Sequence, residues 1–505
     1  METLTKKAPQ TASPPEMGQP VSVPKIWSFV AASVLAAFYL ATSLYIASHL
    51  LFWIDEVVTV RVAWLPRWVT IWTALGHAAD SLPPIYYLIV RGFGNLFGHN
   101  EVAARLPSAL AMAAGLLITF DCARRLTDGL NGLIALSILP CSFLPYYGYE
   151  ARPYALYFMF SALALWVWTC TRADRKSSAI LFGVVLALAV MVHYYAVLIL
   201  VPYALWELFR WRPWQPPSAK LIAGLLGAVV PAVLLSPLIL SFGHRFGADF
   251  YAPPSFVGLR GFYSALFPDG MFLLAMAMIW TLLAANQDDR VEPEPMRQGE
   301  LIGWLFLCIP LVGFILARLE TNAFVARYFI CVLPGIAVAF SCWTWRHFRD
   351  SYRVSAGILV LLTAMGVLQQ LHTARHLESV MPSQVLAESR QYLSLEGSLF
   401  QDGKKFIVFS NSWLFMAGQY YSRYPEDCIF LLDSDKANST NLAVKVALNL
   451  ASYYPLQFWK FDNLKQHVRE TALIQPTRDT LEALKQAGFK VETRFDKPLE
   501  VVYLK

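Results

Sequence analysis

Long apolar stretches separated by short polar breaks run from about residue 27 to residue 372, and the pattern then changes. Stretches of about 18 or more apolar residues read as membrane-spanning helices. A window of about 19 residues predicts eleven spans. They fall at 27–48, 103–121, 130–146, 153–170, 178–192, 194–209, 220–241, 270–286, 300–317, 327–344 and 354–371. The segment 83–97, "PPIYYLIVRGFGNLF", is too short and interrupted to span and reads as an interfacial helix on the first loop. With the N-terminus inside, four of the five inner loops are strongly basic: "CARRLTD", "TRADRK", "RWRPWQPPSAK" and "WRHFRDSYR". Basic loops mark the cytoplasmic side, and the acidic fifth loop carries little orientation weight. The odd count puts the C-terminal part outside, with the large loop 50–102.

Beyond residue 375 the period changes. "KKFIVFSNSWLFMAGQYYSRYP" reads strand, turn, helix. "TRDTLEALKQAGFKVETRFDKPLEVVYLK" reads as a helix, a glycine at its end and two strands. The expected organisation is mainly α. A disordered cytoplasmic tail, 1–26, precedes a transmembrane domain of about eleven helices, 27–372, and an extracytoplasmic α/β domain, 375–505.

Composition sharpens this picture. The chain has 505 residues, of which only 15% are charged and 56% are hydrophobic. Soluble domains carry about 25% charged residues. The net charge of +6 follows from the basic inner loops and calls for no nucleic acid. Six of the seven cysteines lie in or beside apolar runs, so neither a disulfide framework nor a C-x-x-C metal site is expected. The apolar run after Lys25 is too long for the core of a cleaved signal peptide.

Three polar groups converge on the outer face. "LFWIDEVVTVRVAW" carries Asp55, Glu56 and Arg61. On a helix Asp55 shares a face with Thr59, four positions on, while Glu56 points elsewhere. A hydrated helix start is the competing reading for these carboxylates. "HAADSLPPIYYLIV" carries Asp80 ahead of Pro83 and Pro84, with Tyr86 and Tyr87 suited to a headgroup-level position. "PYYGYEARPYAL" places Glu150 and Arg152 in a tight turn between spans. Such residues beside hydrocarbon are usually paired or functional, and a local salt bridge is the plain alternative. His193 and Tyr194 in "HYYAVL", and Arg327 and Tyr328 at the start of the tenth span, complete the set. Arg327 either snorkels to the interface or binds a phosphate, for which a guanidinium is well shaped.

The order "W-x-D-E", "PP-x-YY-x-L", "ARLPSAL", "E-A-R-P-Y-A-L", "HYYAVL" and "RYF-x-x-x-LP" resembles the GT-C superfamily of membrane glycosyltransferases. It is most similar to the bacterial branch related to protein O-mannosyltransferases and lipid A aminoarabinose transferases. The resemblance spans roughly residues 27–345. It implies a sugar carried on a polyprenyl phosphate, undecaprenyl in a bacterium, and transfer to a hydroxyl of a glycan, lipid or protein at the outer face of the inner membrane. The family's first-loop acid corresponds to Asp55, and its acid at the start of the fourth span to Glu150. Both are the expected catalytic residues. Glu56, Arg61, Asp80, Tyr86, Arg152, His193, Tyr194, Arg327 and Tyr328 are the expected substrate-binding set. Related sequences often carry a histidine or an acid–lysine pair before the double proline. Leu82 stands here, so a divalent metal is not expected to be obligatory. One base carboxylate with a phosphate leaving group implies inversion at the sugar.

The rival readings are a transporter or flippase of lipid-linked sugars and an oligosaccharide ligase. A transport path needs ionisable groups within the spans. Here they gather at span ends.

Overall fold

The computed structural model describes residues 24–171, 175–210, 216–246, 252–266, 294–377, 380, 383–432, 442–495 and 499–504. Helices occupy ten of the eleven expected spans. The span expected at 270–286 and most of the N-terminal tail lie outside the described residues. Among the described residues five helices are long and apolar enough to cross a bilayer: Lys25–His49, Glu101–Leu126, Pro295–Thr321, Ala326–Phe348 and Tyr352–Arg375. The other five are shorter apolar helices. The seven cysteines are free thiols.

Burial sorts the bundle. The helix Ala326–Phe348 is 94% buried over its apolar window, whereas Lys25–His49 is 28% buried and exposes Ile26, Trp27 and Val34. The first helix is therefore a peripheral one with an apolar outer face, and Ala326–Phe348 is central. Packing is closest where small residues face each other. A Cβ built on Gly227 would lie 2.0 Å from the Gly183 carbonyl oxygen, so Lys176–Val192 and Ala219–Leu234 cross with their backbones in contact.

The first loop folds into three helices that position the site. We number α1 as Lys25–His49, α2 as Ile54–Ala63, α3 as Trp68–Gly76, α4 as Pro84–Phe97 and α5 as Glu101–Leu126. At α2 the extended Trp53 is the N-cap, and Glu56 reaches back to accept the Trp53 N–H at 3.3 Å. At α4 Pro84 takes the first helical position, where its missing N–H costs nothing. The expected helix at 83–97 is thus present. Tyr86 and Tyr87 are both fully buried within the protein, where α4 packs on α2 and α5.

The C-terminal part forms a six-stranded sheet of order β3-β2-β1-β4-β6-β5. The strands are β1 Phe406–Phe409, β2 Cys428–Leu432, β3 Gln457–Lys460, β4 Thr471–Ile474, β5 Val491–Phe495 and β6 Val501–Leu504. The first four are parallel, with Val408 opposite Ile429 and Leu473. β6 runs antiparallel to both of its neighbours, β4 and β5. The central strands are apolar on both faces, as helix-covered parallel strands must be. Gly488, at φ +89°, ends the helix Arg478–Gln486 in a left-handed turn open to glycine.

This sheet packs on the first loop through the helix Ser412–Tyr421. Tyr421 Oη accepts the Phe52 N–H at 2.7 Å and donates to Glu101 at 2.8 Å. Asn449 Nδ2 donates to the Ala78 carbonyl at 3.1 Å.

Replacing Gly227 by Val forces the two crossing helices apart. The expected cost is about 1–3 kcal/mol, read as a lower midpoint of thermal unfolding in detergent. A conservative Gly227→Ala change should cost less.

Candidate functional site

Asp55 and Glu56 separate completely. Glu56 is 2% exposed and fully used. Arg105 on α5 meets it in a fork, Nε to Oε1 at 2.7 Å and Nη2 to Oε2 at 2.6 Å. Glu56 also accepts the Ala151 N–H at 2.7 Å. The remaining Arg105 donors reach the carbonyls of Ala47, Leu50 and Leu51. Those carbonyls lie at and beyond the C-terminal end of α1, where helices leave acceptors unsatisfied. Arg105 therefore joins α1, α2, α5 and the turn before the helix Tyr154–Cys170. Glu56 is a structural anchor that caps the start of α2, but it is buried and paired where the competing reading expected a hydrated carboxylate.

Asp55 points the other way, with its side chain 27% exposed. Arg327 Nη2, from the start of the central helix Ala326–Phe348, lies 3.2 Å from Asp55 Oδ2. The Arg327 guanidinium also sits 5.6 Å from the centre of the Tyr154 ring.

Arg152 closes the next side. It does not pair with Glu150. Its Nη1 donates to Asp80 Oδ2 at 2.8 Å, to Thr59 Oγ1 at 2.8 Å and to the Asp55 carbonyl at 3.3 Å. Thr59 shares the Asp55 face of α2, as its spacing of four predicts. Asp80 is buried beneath this pair and also accepts the Ser81 N–H. Tyr86 Oη contacts Ser108 Oγ at 3.2 Å, and Ser108 donates to the Arg152 carbonyl.

Glu150 sits in the turn outside the spanning helices and is buried. Trp53 Nε1 donates to its Oε1 at 3.0 Å, while Oε2 has no hydrogen-bond partner. Burial pushes its carboxyl up to about 8, against the pull of the nearby Arg327 guanidinium. At neutral pH it is a neutral acid, able to donate a proton in a hydrogen bond.

His193 stacks on Tyr157 at 5.0 Å with the rings 4° from parallel, and lies 5.6 Å from Tyr154 and 5.2 Å from Tyr328. Its Nδ1 accepts the Tyr195 N–H at 3.2 Å, which puts the proton of the neutral ring on Nε2. Tyr194 begins the tight turn Tyr194–Ile199 and is half-buried.

Arg61, like Glu56, lies apart from the Asp55 cluster among the expected site residues. Its guanidinium hydrogen-bonds Gln419 and lies between the rings of Tyr420 and Tyr454, at 5.7 and 5.1 Å. The structure uses it to hold the C-terminal sheet against α2, away from Asp55. Reasoning from sequence passed over Arg105, Trp53 and Tyr154. Arg105 stands in the "ARLPSAL" motif, but nothing local marks it as the partner of Glu56.

Further ionisable groups are held at the opposite helix ends. Lys220 caps the carbonyls of Val167, Trp168 and Thr171. Glu300 pairs with Arg346, and Asp121 with Arg124 and Arg125. Among the described residues no three His, Cys, Asp or Glu side chains gather as a metal-ligand set.

Two expectations follow. Arg105→Met strands Glu56 in a buried site and should cost about 3–5 kcal/mol. Thermal unfolding in detergent measures it, and the double change with Glu56→Leu should recover part of the loss. For Glu150 the folded carboxyl titrates near 8 against an ordinary 4.5. The folded state thus binds more protons between these values, and stability falls as pH rises from about 4.5 to 8. Unfolding midpoints across this range should show less fall in Glu150→Gln than in the natural chain.

Comparison with known proteins agrees with this architecture. The family model for dolichyl-phosphate-mannose-protein mannosyltransferase matches residues 81–239. No curated relative matches by sequence. The fold resembles ArnT from Cupriavidus metallidurans bound to undecaprenyl phosphate, at TM-score 0.60 and 12% identity, covering 95% of this chain and 97% of that one. The apo form of the same protein gives TM-score 0.57 and 13% identity, with the same coverage. The signature over residues 81–239 thus lies inside a fold that this multi-pass membrane protein shares with ArnT along nearly the whole chain.

Proposed function

We propose that the protein transfers a sugar from a polyprenyl-phosphate carrier to a hydroxyl acceptor, with inversion, at the extracytoplasmic face of the membrane. The observation that carries this reading is the Asp55–Arg327 pair. A carboxylate from the first loop and a guanidinium from the central helix meet at 3.2 Å, both partly exposed. A transferase of this kind needs both, a base for the hydroxyl and a cation for the departing phosphate.

In this mechanism Asp55 accepts the acceptor's hydroxyl proton as that oxygen attacks the anomeric carbon. The bond from the anomeric carbon to the phosphate oxygen breaks, and its electron pair leaves with the polyprenyl phosphate. Arg327, with Arg152 behind it, stabilises the charge on that phosphate. Tyr154 restrains Arg327 through its ring face. The Nε2–H of His193 is an additional donor toward substrate. Asp80 and Thr59 fix Arg152, so Asp80 acts through Arg152 and not on the substrate. Tyr194 and Tyr328 line the side near His193, and Tyr86 supports the Arg152 backbone through Ser108. Glu150, neutral at working pH, offers a hydrogen bond to a sugar hydroxyl. ArnT in complex with undecaprenyl phosphate supports a carrier of that type. Arginines supply the positive charge in this site, so transfer is proposed to need no obligatory divalent metal.

Asp55→Asn should lower transfer by about 10²–10⁴-fold without loss of folded protein, measured with membranes and a polyprenyl-phosphate sugar. Near-normal turnover would sink the base assignment. Dialysis against a chelator should leave the rate unchanged, and a loss restored by a divalent ion would contradict the arginine-only site.

A further inference from the structure

The turn that carries Asp80 begins where α3 ends. Ala78 stands in it at φ +57°, in the left-handed region. The Ala78 N–H donates to the Leu75 carbonyl at 2.9 Å, and the Ala79 N–H to the Ala74 carbonyl at 3.0 Å. This pair of bonds closes many helix C-termini, and its left-handed position most often holds glycine. An alanine there is strained by its Cβ. A strained conformation of this kind persists only where the surroundings hold it, and Ala78 and Ala79 are fully buried.

Two bodies hold this turn. From the helical bundle, Ser241 Oγ in the helix Ser236–Phe246 donates to the Gly76 carbonyl at 2.6 Å. From the C-terminal sheet domain, Asn449 Nδ2 in the helix Leu442–Leu450 donates to the carbonyl of Ala78 itself at 3.1 Å. Tyr453, four residues on, places its Oη 2.7 Å from His77 Nδ1. Two residues after Ala78, Asp80 uses both carboxylate oxygens, one for the Ser81 N–H at 2.7 Å and the other for Arg152 Nη1 at 2.8 Å. The remaining acceptors of Arg152 Nη1, Thr59 Oγ1 and the Asp55 carbonyl, are neutral. Asp80 is therefore the charged partner that fixes this guanidinium, and the backbone at Ala78 decides where Asp80 stands. An unbroken chain of contacts runs from Asn449 through Ala78 and Asp80 to Arg152.

We propose that Asn449 is a positioning residue for transfer: through it the C-terminal sheet domain locks the left-handed Ala78 turn and so fixes the Asp80 carboxylate that orients Arg152. The inference rests on the glycosyltransferase reading and gives the sheet domain a part in the reaction without placing any of its groups on the substrate.

The experiment compares the natural chain with Asn449→Leu, Asp80→Asn and the double variant, each as the full chain in lipid nanodiscs. Amide hydrogen exchange, read by mass spectrometry on peptides covering residues 76–82, should be about tenfold faster in Asn449→Leu. Peptides of β1 and β4 should stay as protected as before, which shows the sheet domain still folded. Transfer from a polyprenyl-phosphate sugar should fall about tenfold or more in kcat/KM for the donor, with the KM for the acceptor unchanged. The double variant should lose little more than Asp80→Asn alone, because both changes reach Arg152 through one carboxylate. Adding Ala78→Gly to Asn449→Leu should restore part of the loss, since glycine takes the left-handed turn without strain. If the leucine variant does not fold, Asn449→Ala carries the same comparisons. Unaltered exchange at 76–82, unaltered transfer in the folded variant, or losses that multiply in the double variant overturn the proposal. Absence of turnover in the natural chain would instead sink the glycosyltransferase reading, and the exchange result would still decide whether Asn449 locks the turn.

Discussion

The buried Arg105 guanidinium is the joint on which the site is built. Its five N–H groups are all engaged, two by Glu56 and the others by carbonyls where α1 ends. An isolated buried charge would be costly, and a forked carboxylate pair with every remaining donor satisfied is the arrangement that offsets that cost. Fixing Glu56 fixes the start of α2. Because adjacent helical residues point about 100° apart, fixing Glu56 inward turns Asp55 toward Arg327. The Asp55 carboxylate stays partly exposed because its neighbour is fully bound.

A second layer of restraint follows the same logic. Arg152 is held by Asp80, Thr59 and the Asp55 carbonyl, so α2 and the Asp80 turn, both distant from it in sequence, share one guanidinium. Arg327 approaches from the central helix and is braced by the Tyr154 ring. The site thus carries fixed positive groups beside one partly exposed acid. Fixed charges of this kind favour a transition state that sheds a phosphate, because they need little reorganisation when charge develops.

Much of this was legible in the sequence, and the failures have physical causes. Hydrophobic length alone located ten helices, because a bilayer requires long apolar runs with internally satisfied backbones. The shared face of Asp55 and Thr59 followed from a spacing of four. The same geometry could have excluded Arg61, six positions from Asp55 and rotated by roughly 240° on a helix. It turns to Gln419, Tyr420 and Tyr454, a surface that exists only once the C-terminal sheet has folded. Glu150 and Arg152 look like a local pair in "EARPY", but Arg152 reaches Asp80 instead. No local rule links Arg105 to Glu56, since their contact depends on the packing of α2 against α5. The strand, turn and helix of "FIVFSNSWLF" were readable, whereas the parallel pairing of β1 with β4 joins strands separated by two others in sequence.

The account makes the reaction a single displacement, with one carboxylate acting as base and an arginine-held phosphate as leaving group. The anomeric configuration of the product, read by NMR after transfer from a polyprenyl-phosphate sugar of known configuration, tests this most directly. Inversion is predicted. Retention of configuration would contradict the account, because it would require a covalent or double-displacement path in which Asp55 is not simply the base.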